Sequence, residues 1–333
     1  MQRNNILDAA KGITIIIVVF HHISFAAVSQ NASELIQMNT SLHPLYISWF
    51  MPIFFLITGY CSTFNKSFHE FCLCNLRTIL WPAITSFILI YSYRSLLASD
   101  INIFLNSLDV FLLWGGNWFL CSLFFSKMLV WLIVNKTNII ILRYTIIILL
   151  SFLGVFLFNR TSEYCNYLHY CHSLYFSLYI FLGIEAQKYR LLEKKVINYL
   201  GLSFLPLFYL FHKTVGIPGI AGMFMSFDVI FLPIHFLLSI TGACFVILIS
   251  KILQNTKTII FFGKNSLIIY LFHIEALRLT VSLCDDWINP STIIQLIIFD
   301  CLALSISMSV CSVLILLFRT KYLHWIIRFP SKK

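Results

Sequence analysis

Apolar runs separated by short polar segments recur along the whole chain. Taking about 17 residues as the minimum for a spanning helix, they predict about ten transmembrane helices, at 12–29, 46–64, 76–98, 117–135, 138–158, 170–187, 196–212, 228–250, 264–283 and 291–318. The segment 101–114, INIFLNSLDVFLLW, is apolar but too short to cross. Counting it as a span would invert every later loop, so it is expected to be interfacial or re-entrant. On this count 18 of the 23 Lys and Arg lie on the side of the N-terminus, and only Arg94, Arg160, Lys213 and Arg278 lie at or near the other side. That asymmetry predicts cytoplasmic termini. With no internal repeat or low-complexity tract, residues 1–333 read as a single all-α integral membrane domain.

The most informative stretch is DAAKGITIIIVVFHHIS at 8–24. His22 stands eleven positions after Lys11, about 16 Å along the axis, which places the imidazole near the middle of the hydrocarbon. At about 100° per residue the two side chains fall within about 20° of each other, while His21 points about 80° away. A histidine at that depth either bridges helices by hydrogen bonding or serves chemistry. Desolvation disfavours its cation and leaves the neutral ring that a general base requires. His21 reads as a supporting or packing residue. Asp8 is expected to cap the helix, and Lys11, taken alone, to snorkel at the interface.

Other ionisable groups reach the predicted midplane: Lys127, His273, Glu275 and Asp300. Such groups are costly in lipid and mark pathways or sites. Glu275 and Arg278 are spaced to neutralise each other, and Lys127 to pair with an acid, as plain alternatives to substrate binding. His273 lies about 200° from Glu275 around its helix, so the two are not expected to serve one pocket. Asn117 and Trp118 open the fourth predicted helix, where an aromatic belt competes with a sugar-stacking platform. Pro52 and Gly59 mark a bend or a close approach in the second. The candidate substrate-binding residues are therefore Asn117, Trp118, Lys127, His273 and Asp300.

Composition sharpens this picture at three points. At 59% hydrophobic and 11% charged, the chain is not an ordinary soluble domain. The net charge of +10 sits in short segments between apolar runs, so it reads as orientation in the membrane and not as a nucleic-acid surface. The ten cysteines have no paired zinc spacing, and Cys61, Cys121, Cys244, Cys301 and Cys311 read as small apolar packing residues. No metal is expected.

Four motifs in order resemble the acyltransferase 3 family of multi-spanning O-acyltransferases, especially its fucose 4-O-acetylase-like branch. These are the basic-residue–x10–His pattern at Lys11 and His22, WFMPIFFLITGY at 49–60, NWFL at 117–120 and GKNSLIIYLFH at 263–273. The resemblance covers nearly the whole chain. It implies acetyl transfer from cytoplasmic acetyl-CoA, as co-substrate, to a hydroxyl on a glycan or lipid-linked sugar, in a bacterial cytoplasmic membrane. It also carries a functional role to Lys11 and His22. The chain has Lys where many members have Arg, and Thr58-Gly59 where many have Ser-Gly; lysine keeps the point charge but lacks the guanidinium fork. On these residues His22 is the expected general base, with an acetyl-histidine relay as the alternative, and Lys11 the expected anchor for CoA phosphates. Buried charges would also suit a secondary transporter or glycan flippase, although no inverted repeat supports one. A membrane sensor or assembly protein with buried polar packing is the third reading.

Overall fold

The structure is a computed structural model that describes residues 4–28, 43–112, 118–160, 169–217, 220–221, 224–225, 229–283 and 292–328. Asn117 lies outside them. In chain order the helices are α1 Asn5–Val28, α2 His43–Ile47, α3 Phe50–Cys61, α4 Phe68–Asn75, α5 Trp81–Ala98, α6 Ile101–Leu112, α7 Trp118–Lys136, α8 Ile140–Arg160, α9 Tyr170–Lys188, α10 Lys195–Thr214, α11 Leu232–Leu253, α12 Lys257–Lys264, α13 Ser266–Leu283, α14 Ile293–Phe318 and α15 His324–Ile327. Short 3-10 turns and a π-helix, Leu76–Leu80, join some of them, and Ile220–Ala221 pairs antiparallel with Phe224–Met225.

Among the described residues seven helices are long and apolar enough to cross a membrane, and α12 with α13 makes an eighth if that bent pair is one span. Helices also form at the two remaining predicted positions, as α9 and α10 with 19 and 20 residues, but their polar side chains keep them below the same apolarity. α6 has 12 residues, too short to cross, as its sequence predicts. The third predicted span starts earlier than expected, because Phe68–Ala98 runs through the π-helix into α5. Leu149, Ile141, Ile294 and Ile297 are exposed on α8 and α14, where lipid is the only favourable solvent for such a surface.

The chain forms two compact units. The first comprises Met1–Phe50, Ile197–Ile217 and Ile240–His324. Here α1 packs on α12, α13 and α14. The small residues of the DAAKG stretch explain how closely: Ala9 and Ala10 are fully buried, and a Cβ on Gly12 would lie 2.1 Å from the Ile259 carbonyl oxygen. A Cβ on Gly263 would lie 1.7 Å from the Asp8 carbonyl oxygen. α1 and α12 therefore meet backbone to backbone, a contact open only to glycine. α13 and α14 run antiparallel, paired at Asn265 with Arg319, Phe272 with Phe318 and Thr280 with Ser307.

The second unit comprises Met51–Val196, Pro218–Ser239 and Trp325–Lys333. Its centre is α9 against α7 and α8. Gly59 of α3 faces the Ile180 carbonyl of α9 and Gly183 of α9 faces the Leu56 carbonyl of α3, so Gly59 serves a close helix crossing. Phe55 stacks on Phe176 beside it, with ring centroids 4.0 Å apart. Trp131 and Asn135, near the end of α7, donate to the Lys66 and Phe64 carbonyls, which puts Lys66 and Lys136 at one end and Trp118 at the other.

Candidate functional site

α1 starts one turn before the predicted boundary. Asn4, not Asp8, supplies the cap, its side-chain oxygen accepting from the Ile6 N–H at 2.9 Å. Asn and Asp cap equally well. Asp8 thus falls within the first turn, where its buried carboxylate holds the Lys11 ammonium at 2.8 Å. Lys11 keeps 26% of its side chain exposed, so it still faces outward from the pair. α1 is unbroken from Lys11 to His22, which preserves the axial separation of about 16 Å.

At the far end of that face lies His273 of α13. Its Nε2 is 3.4 Å from His22 Nδ1, and the two rings meet edge to face with centroids 4.7 Å apart. Neighbouring carbonyls, which only accept, determine the tautomers. The His22 Nδ1–H donates to the Val18 carbonyl at 2.8 Å and the His273 Nδ1–H to the Tyr270 carbonyl at 2.6 Å. His22 Nε2 therefore carries a lone pair, while His273 Nε2 turns its own lone pair toward the His22 N–H. The arrangement gives a base nitrogen on one ring and an orienting acceptor on the next.

His21 continues the cluster on the adjoining face. Its ring is 5.1 Å from that of His22 and 4.5 Å from that of His43, and its Nδ1 is 3.4 Å from the Tyr46 hydroxyl. Asp300 is buried on α14 in the same unit. His43 and Tyr46 were not among the sequence candidates. The available signal was the HPLY run at 43–46, at the edge of the predicted second helix. Among the described residues no group of three or more His, Cys, Asp or Glu is placed to hold a metal ion.

The other candidates are placed as follows. Glu275 pairs with Arg278 at 3.6 Å on a half-exposed face, the plain alternative. Lys127, half-buried in the second unit, lies 5.5 Å over the Phe71 ring. Trp118 is buried at the start of α7, 5.1 Å from the His172 ring, among Phe119, His169 and Phe176. This is a packed aromatic cluster and not an isolated belt residue.

No curated protein and no solved structure matches the chain. A family model described as an acyltransferase domain does, over residues 4–316. That match takes in α1 with Lys11 and His22, α13 with His273 and nearly all of α14. Together with the spanning helices, it shows that the chain belongs to the acyltransferase 3 family and is a multi-pass membrane acyltransferase.

Proposed function

We propose that this acyltransferase moves an acetyl group from cytoplasmic acetyl-CoA to a hydroxyl of a sugar in a cell-surface or secreted glycan, as in the fucose 4-O-acetylase-like branch. The observation that carries the chemistry is the tautomer of His22: Nδ1–H is committed to the Val18 carbonyl, so Nε2 is the base. In the proposed step the acceptor hydroxyl gives its proton to Nε2 as its oxygen bonds to the acetyl carbon. The carbon–sulfur bond breaks, and the departing thiolate takes the proton back from the imidazolium. During the step the charged ring's Nδ1–H faces two acceptors, the Val18 carbonyl and His273 Nε2, which stabilises the cation.

Lys11 in this reading anchors the donor's phosphates at the inner collar, and the pantetheine arm covers the distance to His22. Its ion pair with Asp8 weakens its field but leaves further N–H donors for a phosphate oxygen. Asp300, in the first unit with His22, is a proposed acceptor contact; Trp118, Asn117 and Lys127 are proposed sugar contacts of the second unit taken by itself. We place the protein in a bacterial cytoplasmic membrane with ten spans and both termini inside. In support of that count, α9 buries the polar residues His172, Ser173, Ser177 and Glu185 against protein, so its low apolarity does not keep it from crossing.

The test is transfer in proteoliposomes from acetyl-CoA labelled in the acetyl group to the producing cell's surface glycan. Label should enter alkali-labile esters with release of one CoA thiol each. Glycan movement across the bilayer without ester formation would replace this reading with transport. Lys11→Ala should raise the KM for acetyl-CoA by about tenfold or more with little change in kcat, as for loss of one charge-assisted bond. His273→Ala should lower kcat by about 10- to 100-fold, and His273→Gln, which keeps an acceptor, should recover part of that loss.

A further inference from the structure

We propose that Arg319 and Asn265 are positioning residues that hold His273 in register with His22; this rests on the reading of His22 as the base. The argument starts from a bend. α12 and α13 meet at 88° within a break of a single residue, Asn265. Asn265 is buried and uses both ends of its amide: Nδ2 donates to the Phe261 carbonyl at 2.6 Å, closing the end of α12, and Oδ1 accepts from Arg319 Nη2 at 3.1 Å. Its backbone carbonyl accepts from the Ile268 and Ile269 N–H groups, which starts α13. One side chain thus ends one helix while its own carbonyl begins the next.

What fixes the vertex in space is Arg319. It caps α14, and its guanidinium also lies 5.6 Å from the centre of the Phe261 ring, so it holds the vertex and the α12 side of the bend. The residue before it, Phe318, is buried against Phe272, which adjoins His273 in sequence. α12 is meanwhile held on α1 by Gly12 and Gly263. α13 also packs directly on α1, and the Asn265 vertex, with about two turns of α13 beyond it, adds a second constraint on the base's partner through α12. A swing at the vertex moves His273 Nε2 away from His22 Nδ1, a contact already at 3.4 Å. Arg319 is exposed and could otherwise be taken for a donor-phosphate ligand. Its bond to Asn265 and its contact with Phe261 assign it to the bend.

Two measurements on the full chain in membranes test this. In the first, Arg319→Ala and Asn265→Ala should each lower kcat by about 10- to 100-fold at unchanged KM for acetyl-CoA, the cost of a misplacement near 1 Å. The double variant should be no worse than either alone, and Arg319→Lys should recover part of the rate. A raised donor KM with unchanged kcat would make Arg319 a phosphate ligand and overturn the proposal. In the second, His22→Cys and His273→Cys are combined and joined with a short bis-maleimide, with the linked peptides quantified by mass spectrometry. Adding Arg319→Ala should cut the linked yield at least about fivefold, a shift in population that an undisturbed bend would not produce. An unchanged yield overturns the proposal. Cross-linking needs no turnover, so an active His22→Ala enzyme would remove the base and leave this second result standing.

Discussion

His22→Ala should lower acetyl transfer by about 10²- to 10⁴-fold, the range associated with loss of a positioned acid–base group. The amount of folded protein in the membrane should hardly change. His22 is only partly buried and its Nδ1 bonds to a carbonyl of its own helix, at Val18, so removing the ring leaves the backbone ladder of α1 intact. What disappears is the nitrogen that receives the acceptor's proton in the proposed step, and with it the N–H that faces His273. His22→Asn separates the two effects, since it retains an amide N–H donor without a basic nitrogen. It should be as inactive as alanine while expressing at the wild-type level. The measurement is the initial rate of label transfer normalised to purified, folded protein. A rate within about threefold of wild type would leave less than 1 kcal/mol for the imidazole and remove it from the proton transfer.

The two ends of this site were legible in the sequence to different degrees. Lys11 and His22 lie on one helix, so helical periodicity alone relates them in depth and direction. Depth also singled out His273, and comparison with Glu275 on its own helix separated the two. The pairing of His273 with His22 was not legible, because periodicity orients a residue about its own axis and says nothing of which helix stands opposite. The same limit hid the bend. The stretch 264–283 is apolar enough to read as one span, yet Asn265 divides it from α12, and that role becomes visible only once Arg319, 54 residues later, is in place. His43 was missed for a simpler reason, since it precedes the apolar run from which the second span was read. The count of ten spans read from the sequence includes 170–187, whereas among the described residues seven helices, or eight with the bent pair, are long and apolar enough to cross; α9 is not among them and buries polar side chains within protein.

Gly263→Ala should be the most disruptive small change in the first unit. The added carbon would lie 1.7 Å from the Asp8 carbonyl oxygen, 2.7 Å from its carbon and 2.9 Å from the Gly12 nitrogen. All three are backbone atoms of a helix, so no side chain can turn aside and α12 must retreat from α1 as a body. Reaching ordinary van der Waals separation requires about 1.5 Å or more, and overpacking of this kind costs about 1–3 kcal/mol or more. The retreat also carries Asn265 and the start of α13 with it, and a displacement of about 1 Å at a reacting group is enough for a loss of about 100-fold in rate. Gly263→Ala should therefore lower both the thermal midpoint of the detergent-solubilised protein and kcat. Gly12→Ala, whose carbon would lie 2.1 Å from the Ile259 carbonyl oxygen across the same contact, should behave alike. Gly216→Ala is the informative control. Gly216 has φ of +85° but nothing within 4 Å of an added carbon, so alanine there meets only backbone strain and should leave the rate unchanged. Wild-type melting and turnover in Gly263→Ala would mean that α1 and α12 are not in backbone contact, and the route by which His273 is brought to His22 would be lost with it.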